Sequence, residues 1–415
     1  MRRQLENCAN ALSDYSGEDV ETPKDWYAAF RMLKNYLQGI SRPGKLVVFL
    51  DEVPWMETRK SDFVSALEGF WNGWGSGENN LLLILCGSAT SWITKKVFSN
   101  KGGLFNRDTD RIYLEPFTLK ETEEFLDRRQ ICLTRKDIAE CYMIMGGIPY
   151  YLDKIEKGMS FSQNIDNIFF KKRARLWDEF THLYASLFDN PEPHLKIVKA
   201  LNTKRSGLTR AEISEATKIP PNGNLTRVLK ELEDSGFVLS YRDWTKTKKG
   251  NIYRLSDFYT IFYLDFVQEN YGDDENFWTN RIDSSMHRAW TGFAFELLCM
   301  NHIPQIKAAL GISGVATRQF SWRGEDESGK RSQIDLLIDR RDGVIDLCEV
   351  KFASGLYAIT KGYESELVDK IEVFRNATKT NKSIHLVMVT TFGLSANSHT
   401  SLVQNSITLD DLFLH

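Results

Sequence analysis

Two runs dense in β-formers, Gln333–Ile338 and Ile345–Phe352, close around the turn residues Arg341-Asp342-Gly343. Such a pattern specifies an antiparallel hairpin. A helical stretch at 291–310 precedes it, and a helix at 363–377 and a strand at 383–391 follow. Side chains alternate along a strand, so Glu349 and Lys351 point to one face. The hairpin brings Asp335 near the same point, and Glu296, on the helical stretch upstream, offers another carboxylate. Carboxylates and one lysine on a shared rim suit Mg²⁺: Asp335 and Glu349 would bind the hard cation. The metal would polarise a phosphoryl oxygen and activate water. Lys351 would position that water or stabilise the developing charge. The bland alternative is a structural ion-pair cluster on a sheet edge. Asp339, Asp342 and Asp346 read as turn or opposite-face residues.

The N-terminal third has a different grammar. A pure strand run, Lys45–Leu50, ends in Asp51-Glu52; a second, Leu81–Cys86, ends in Gly87-Ser88; a third, Arg111–Leu114, precedes Pro116. Helical stretches at 25–40 and 62–74 alternate with them, which implies a parallel sheet with covered faces. In a P-loop enzyme the first acid after such a strand reaches the Mg²⁺ shell and the second orients the attacking water. Asp51 and Glu52 are candidates for these roles, and Ser88 for sensing a γ-phosphate. However, no GxxxxGK[ST] occurs in the sequence. Its backbone N–H groups and lysine are what hold the phosphates. ATP hydrolysis by this chain alone is therefore not expected, and the sheet should expose apolar faces and an unpaired edge.

Residues 193–255 order as a short helix, a second helix opened by the Thr209/Glu212 capping box, a turn at Pro220–Gly223, a third helix, and a hairpin from Gly236 returning at Ile252. This stretch is similar to a winged helix-turn-helix module, whose third helix would present Asn224, Arg227 and Lys230 to DNA. From Lys199 to Arg254 there are 12 basic and 6 acidic residues, a net of +6, against −3 for the whole chain. Any nucleic-acid contact must therefore come from a local patch. A solvated face or a protein-binding spacer is the alternative. The aromatic run Phe258–Tyr271 has the spacing of a buried helix rather than of a base-stacking platform.

The six cysteines form no CxxC pair, the seven histidines no HxH or HExxH pattern, so neither a disulfide framework nor a zinc site is expected. No apolar run reaches membrane-span length, and the N-terminus lacks the apolar core of a signal peptide. A cytoplasmic location with no membrane partner is expected.

Beyond Asp51-Glu52 and Ser88, the motifs Leu104–Arg107, Leu114–Phe117 and Gly146–Leu152 follow in order. Together they resemble a bacterial and archaeal family of AAA-type P-loop ATPases over residues 25–190. The resemblance implies Walker B acids at Asp51 and Glu52, a sensor at Ser88, a helical lid containing Gly146–Pro149, and ATP binding in members that carry the loop. Asp335-x₁₃-Glu349-x-Lys351 with the trailing helix and strand resembles the PD-(D/E)XK nuclease superfamily over 288–415. It also resembles a domain commonly fused to that ATPase family, whose end the tail Ile407–Phe413 matches. The expected fold is α/β multidomain. It comprises a partial P-loop parallel sheet (1–125), a helical lid (126–192), a winged helix (193–255), a helical connector (256–287) and a restriction-endonuclease-like domain (288–415). The expected function is Mg²⁺-dependent cleavage of DNA. The rivals are a non-catalytic DNA- or protein-binding adaptor, and a nucleotide switch whose P-loop comes from another chain or an oligomer.

Overall fold

A computed structural model describes residues 2–41, 43–58, 60–88, 90–98, 103–242 and 251–414. Its contacts divide the chain into two units, Met1–Leu114 and Glu115–His415.

In the first unit, helix α1 (Arg2–Ser16) precedes α2 (Trp26–Gly39). The Asp25 carboxylate caps α2 by accepting from the Ala28 N–H at 2.7 Å, which satisfies one of the orphan donors of a helix start. Strand β1 (Leu46–Leu50) follows, then α3 (Phe63–Gly73) and strand β2 (Leu81–Leu85). Helices α2 and α3 share an aromatic core: Trp26 meets Phe63 edge-on at 4.8 Å, and Phe30 stacks on Phe70 at 5.3 Å. The strands pair in parallel, Leu46 opposite Leu81 and Leu50 opposite Leu85. One face of the pair packs inward through Val48 and Leu81, while Val47, Phe49, Leu82 and Ile84 on the other face are exposed. The expected bare apolar face is therefore present. The expected third strand is not: 111–114 has no strand conformation, and Ile112 and Leu114 are exposed. The run is rich in β-formers, but a strand needs a paired edge and a core to face.

In the second unit, α4 (Leu119–Arg128) and α5 (Arg135–Met145) each start with a reciprocal capping box, Thr118 with Glu121 and Thr134 with Asp137. After α5 the backbone passes through Gly147 at φ +70°, where a Cβ would lie 2.3 Å from the Phe117 carbonyl oxygen. Only glycine fits that position. The aromatic run is core, as its spacing indicates: Phe258, Tyr259, Phe262 and Phe266 are buried. Phe262 packs edge-on against Trp278 and Trp290 at 5.1 and 5.6 Å.

Next come α6 (Glu192–Asn202), β3 (Leu208–Thr209), α7 (Arg210–Thr217), α8 (Gly223–Asp234), β4 (Val238–Arg242) and β5 (Asn251–Leu255). The strands form an antiparallel sheet of order β3-β5-β4. Helix α8 buries Leu225, Val228, Leu229 and Leu232 as one stripe. The Thr209 hydroxyl caps α7 and Glu212 reaches back to the Thr209 N–H at 2.7 Å. The Lys204 ammonium, that N–H and the Thr209 hydroxyl together pull the Glu212 carboxyl down to about 2. Thr209→Ala is expected to cost about 1 kcal/mol, as loss of a helix cap does, read as a shift in urea midpoint at unchanged slope.

Helix α9 (Ser285–Asn301) leads into a sheet of β6 (Thr317–Glu325), β7 (Arg331–Arg340), β8 (Val344–Lys351), β9 (Ser383–Thr390) and β10 (Asn405–Thr408), with α10 (Lys361–Thr378) between β8 and β9. The order is β10-β9-β8-β7-β6. Strands β6, β7 and β8 run antiparallel, while β8, β9 and β10 run parallel. Leu336, Ile338, Cys348 and Val350 belong to the core that α9 shares. Ile334, Leu337, Ile345 and Leu347 join Leu367 and Phe374 of α10 in a second core. Two corrections arise. The helix expected over 291–310 is broken at His302, and a short helix, Ile303–Ala309, follows. Strand β6 was not expected, because its polar alternation is that of an exposed edge.

Candidate functional site

The hairpin β7–β8 pairs Leu336 with Cys348 and Ile338 with Asp346. Extending that register by one residue sets Asp335 opposite Glu349, at the point where the two strands part. There β7 carries an extra residue: Phe320 pairs with Leu337, but Trp322 pairs with Ile334. Such a bulge bends a strand and re-aims its side chains. It leaves Asp335 half-buried, accepting from the Gln333 side-chain amide at 2.7 Å.

Glu349 and Lys351 face α10, as the strand period requires. Glu349 Oε1 accepts from the Tyr363 hydroxyl at 2.6 Å and pairs with Lys351 Nζ at 3.0 Å; Oε2 accepts from Lys370 Nζ at 2.8 Å. Burial opposes ionisation of Glu349, but Lys351, Lys370 and Tyr363 outweigh it and hold the carboxyl below its ordinary range. Burial also acts to lower the Lys351 ammonium, yet Glu349 prevails and raises it. Neither Tyr363 nor Lys370 was foreseen. Their spacing of seven, two helical turns, was the available signal.

Glu296 projects from α9. Burial first, and then the negative charge of Asp335, push its carboxyl up to about 8; Glu349 adds to the rise, while Arg254 and Lys351 oppose it. The four residues singled out from sequence thus share one electrostatic neighbourhood. Their oxygens are the hard donors that Mg²⁺ takes, and mutual repulsion among the carboxylates is what a divalent cation would relieve. In donor chemistry the set fits the metal. It is not a preformed cradle: among the described residues no three His, Cys, Asp or Glu side chains are grouped to hold an ion, and both Glu349 oxygens already accept from donors.

Between the small sheet and the C-terminal sheet lies a cleft of about 260 Å³ whose lining includes Lys204, Arg205, Arg254, Glu296, Arg323 and Asp335. Glu296 and Asp335 therefore share this cleft with cations, of which Lys204, Arg205 and Arg254 come from a segment distant in sequence that the motif did not reveal.

Asn224, Arg227 and Lys230 share one exposed face of α8. Arg227 Nη1 donates to both Glu231 oxygens at 2.7 Å, and Nη2 donates to Asn224 Oδ1 at 3.0 Å. Lys230 donates to Asp234 at 2.9 Å. Each cation is thus matched by an acid one turn on, and the local excess of +6 is not concentrated on this face. Lys246, Lys248 and Lys249, which contribute to that excess, lie outside the described residues.

In the first unit, the parallel register of β1 and β2 brings Asp51, Glu52 and Ser88 to neighbouring strand ends. Glu52, in left-handed backbone at φ 49°, accepts from the Ser88 N–H at 3.3 Å and the Ser88 hydroxyl at 3.2 Å. Asp51 accepts from the Glu52 N–H at 3.0 Å. These groups are two acids and a hydroxyl. A phosphate chain needs N–H groups and a cation, so they do not by themselves fit ATP.

No protein-family model matches the chain. It is 25% identical over 277 residues to the uncharacterized protein MJECL04 of Methanocaldococcus jannaschii, an overlap of 66% of this chain and 58% of that protein. The chain thus matches under two thirds of that relative's length. Among solved structures, the Walker-type ATPase PABY2304 of Pyrococcus abyssi aligns with a TM-score of 0.42 at 16% identity, over 58% of this chain and 68% of that one. Among the described residues no helix is long and apolar enough to cross a membrane.

Proposed function

We propose that residues 288–415 form a PD-(D/E)XK-type domain that hydrolyses phosphodiester bonds of DNA in the presence of Mg²⁺. On this reading it is carried behind a winged helix on a chain of AAA-type ATPase ancestry. The observation that carries it is that Asp335 and Glu349, each next to the last β7–β8 pair of Leu336 with Cys348, both act on the Glu296 carboxyl, with Lys351 3.0 Å from Glu349. Asp335 and Glu349 would hold the metal, which when bound supplies Lewis-acid polarisation of the phosphoryl oxygen. Lys351 keeps its proton, so it acts as a fixed positive charge near the reacting phosphate. Glu296, protonated at neutral pH, is a hydrogen-bond donor there.

The test is cleavage of plasmid and single-stranded DNA with Mg²⁺ or Mn²⁺. Asp335→Ala and Lys351→Ala are each expected to lose at least about 100-fold in rate, the usual cost of removing an electrostatic stabiliser. Cleavage retained by both variants would refute these roles. The saturation of Glu349 by two lysines and a phenol favours a second reading, a DNA- or protein-binding adaptor. Wild-type protein that binds DNA but cleaves none of it with either metal would select that reading. The nucleotide switch requires a phosphate-binding loop from another chain; ATP binding by the isolated chain would remove that requirement.

A further inference from the structure

Arg254 is a buried cation that the proposed chemistry does not use. It stands near the end of β5, is 5% exposed, and lines the cleft beside Glu296 and Asp335. Among the described residues no carboxylate lies within ion-pair distance of it. Its Nη1 meets only the Met300 sulfur at 3.3 Å, its Nε has no partner, and its charge lies 5.1 Å from the centre of the Phe293 ring. A guanidinium stays protonated in a protein, and an uncompensated charge in such a place is costly. The fold maintains it nonetheless.

The other cations of the cleft differ in how far they are committed. Lys204 is held by Glu212 at 2.7 Å, and Arg205 is held by Asp265. Arg323, on β6 opposite Gln333, is exposed and has no side-chain partner among the described residues. The cleft therefore offers one deep and one rim guanidinium, both with unused donors, in the same lining as Glu296 and Asp335. The ligand class that matches two guanidinium groups is a phosphate, which accepts several charge-assisted hydrogen bonds at once.

We propose that this cleft is a phosphate subsite that holds the backbone of a bound DNA strand, with Arg254 as its buried anchor and Arg323 at its rim. The inference rests on the reading that the neighbouring carboxylates act on DNA. A strand carries a phosphate at every nucleotide, so a strand presenting one phosphate to Asp335 brings others close by. The subsite is supplied by the small sheet as well as the C-terminal one, so the winged-helix segment would contribute to DNA binding through β5 rather than through α8 alone.

The experiment uses the full chain, a fluorescein-labelled oligonucleotide in single-stranded and duplex form, and EDTA so that no cleavage occurs. Anisotropy is followed across a salt series. Arg254→Gln is expected to weaken binding about tenfold or more, as loss of a charged hydrogen-bonding group does. Arg323→Gln should weaken it several-fold and reduce the salt slope by about one. Arg254 is buried, so its variant is first checked by thermal melting; if it does not fold, exposed Arg323 decides. Affinity and slope unchanged within twofold in the folded variants would overturn the subsite. Arg254-dependent stabilisation by inorganic phosphate without DNA binding would overturn the strand assignment and leave a small phosphate compound as ligand. Failure of the nuclease reading looks different: wild-type protein without cleavage, with this Arg254-dependent binding intact.

Discussion

Glu349→Ala is expected to destabilise the second unit by about 3–5 kcal/mol, the cost of breaking a buried ion pair from one side. The Glu349 side chain is 8% exposed, and its partners Lys351 and Lys370 are 32% and 24% exposed. Removing the carboxylate leaves two ammonium groups with no counter-charge and the Tyr363 hydroxyl with no acceptor. Glu349→Gln should cost less, because its amide oxygen still accepts from Tyr363. Replacing the trio together, Glu349→Leu with Lys351→Met and Lys370→Met, should return stability to within about 1 kcal/mol of wild type, since apolar substitution of a whole buried ionic cluster is often neutral. The pH dependence has a definite sign. A carboxyl held low in the folded state contributes stability above its unfolded value, about 4.3, and loses it as pH falls through the depressed folded value. The gap between wild type and Glu349→Gln should therefore close in acid. Urea midpoints across pH test all of this; a loss under about 1 kcal/mol for Glu349→Ala would mean that the lysines are solvated. The triple variant also separates stability from chemistry. If it is stable yet inactive where wild type cleaves, the cluster serves the reaction.

What the sequence disclosed follows the range over which each signal acts. The hairpin, its turn and the shared face of Glu349 and Lys351 depend on period-two alternation and a Gly turn, which are local. The Thr209/Glu212 box is local too and is present as read, and the α8 stripe is equally local. The misses are tertiary. Strand β6 takes its conformation from β7, and its own residues are polar at alternate positions. The run at 111–114 is rich in β-formers but has no partner edge. Tyr363 and Lys370 close over Glu349 only because α10 lies across that face of the sheet. Arg254 comes into the same cleft as Glu296 only because the small sheet sits beside α9. The exposed cations of α8 show what a charge count leaves out: Arg227 and Lys230 pair with Glu231 and Asp234 one turn later. Counting charge over a segment misses pairing within it.

Glu296→Gln is expected to stabilise the protein in alkaline solution by about 2–4 kcal/mol relative to wild type, with little difference near pH 5. Burial is the first cause of the rise in the Glu296 carboxyl to about 8, and Asp335 is the second. The groups acting on it are Asp335 and Glu349, which oppose its ionisation, and Arg254 and Lys351, which favour it. An acid raised above its unfolded value of about 4.3 contributes stability that is complete below that pH and is lost as pH rises through about 8. At about 1.4 kcal/mol per unit the full shift would exceed 4 kcal/mol; Glu296 is only half-buried, so the smaller range applies. Melting temperatures of both proteins at pH 5 and pH 9 make the comparison, and an equal difference at the two pH values would sink it. Mg²⁺ sharpens the argument. A cation held by Asp335 and Glu349 would offset the repulsion that adds to burial in raising the Glu296 carboxyl. Added Mg²⁺ should then raise wild-type stability more at pH 9 than at pH 5, and the variant should show less of this dependence. An identical Mg²⁺ response in both would place the metal away from Glu296 and return the carboxylates to a structural role.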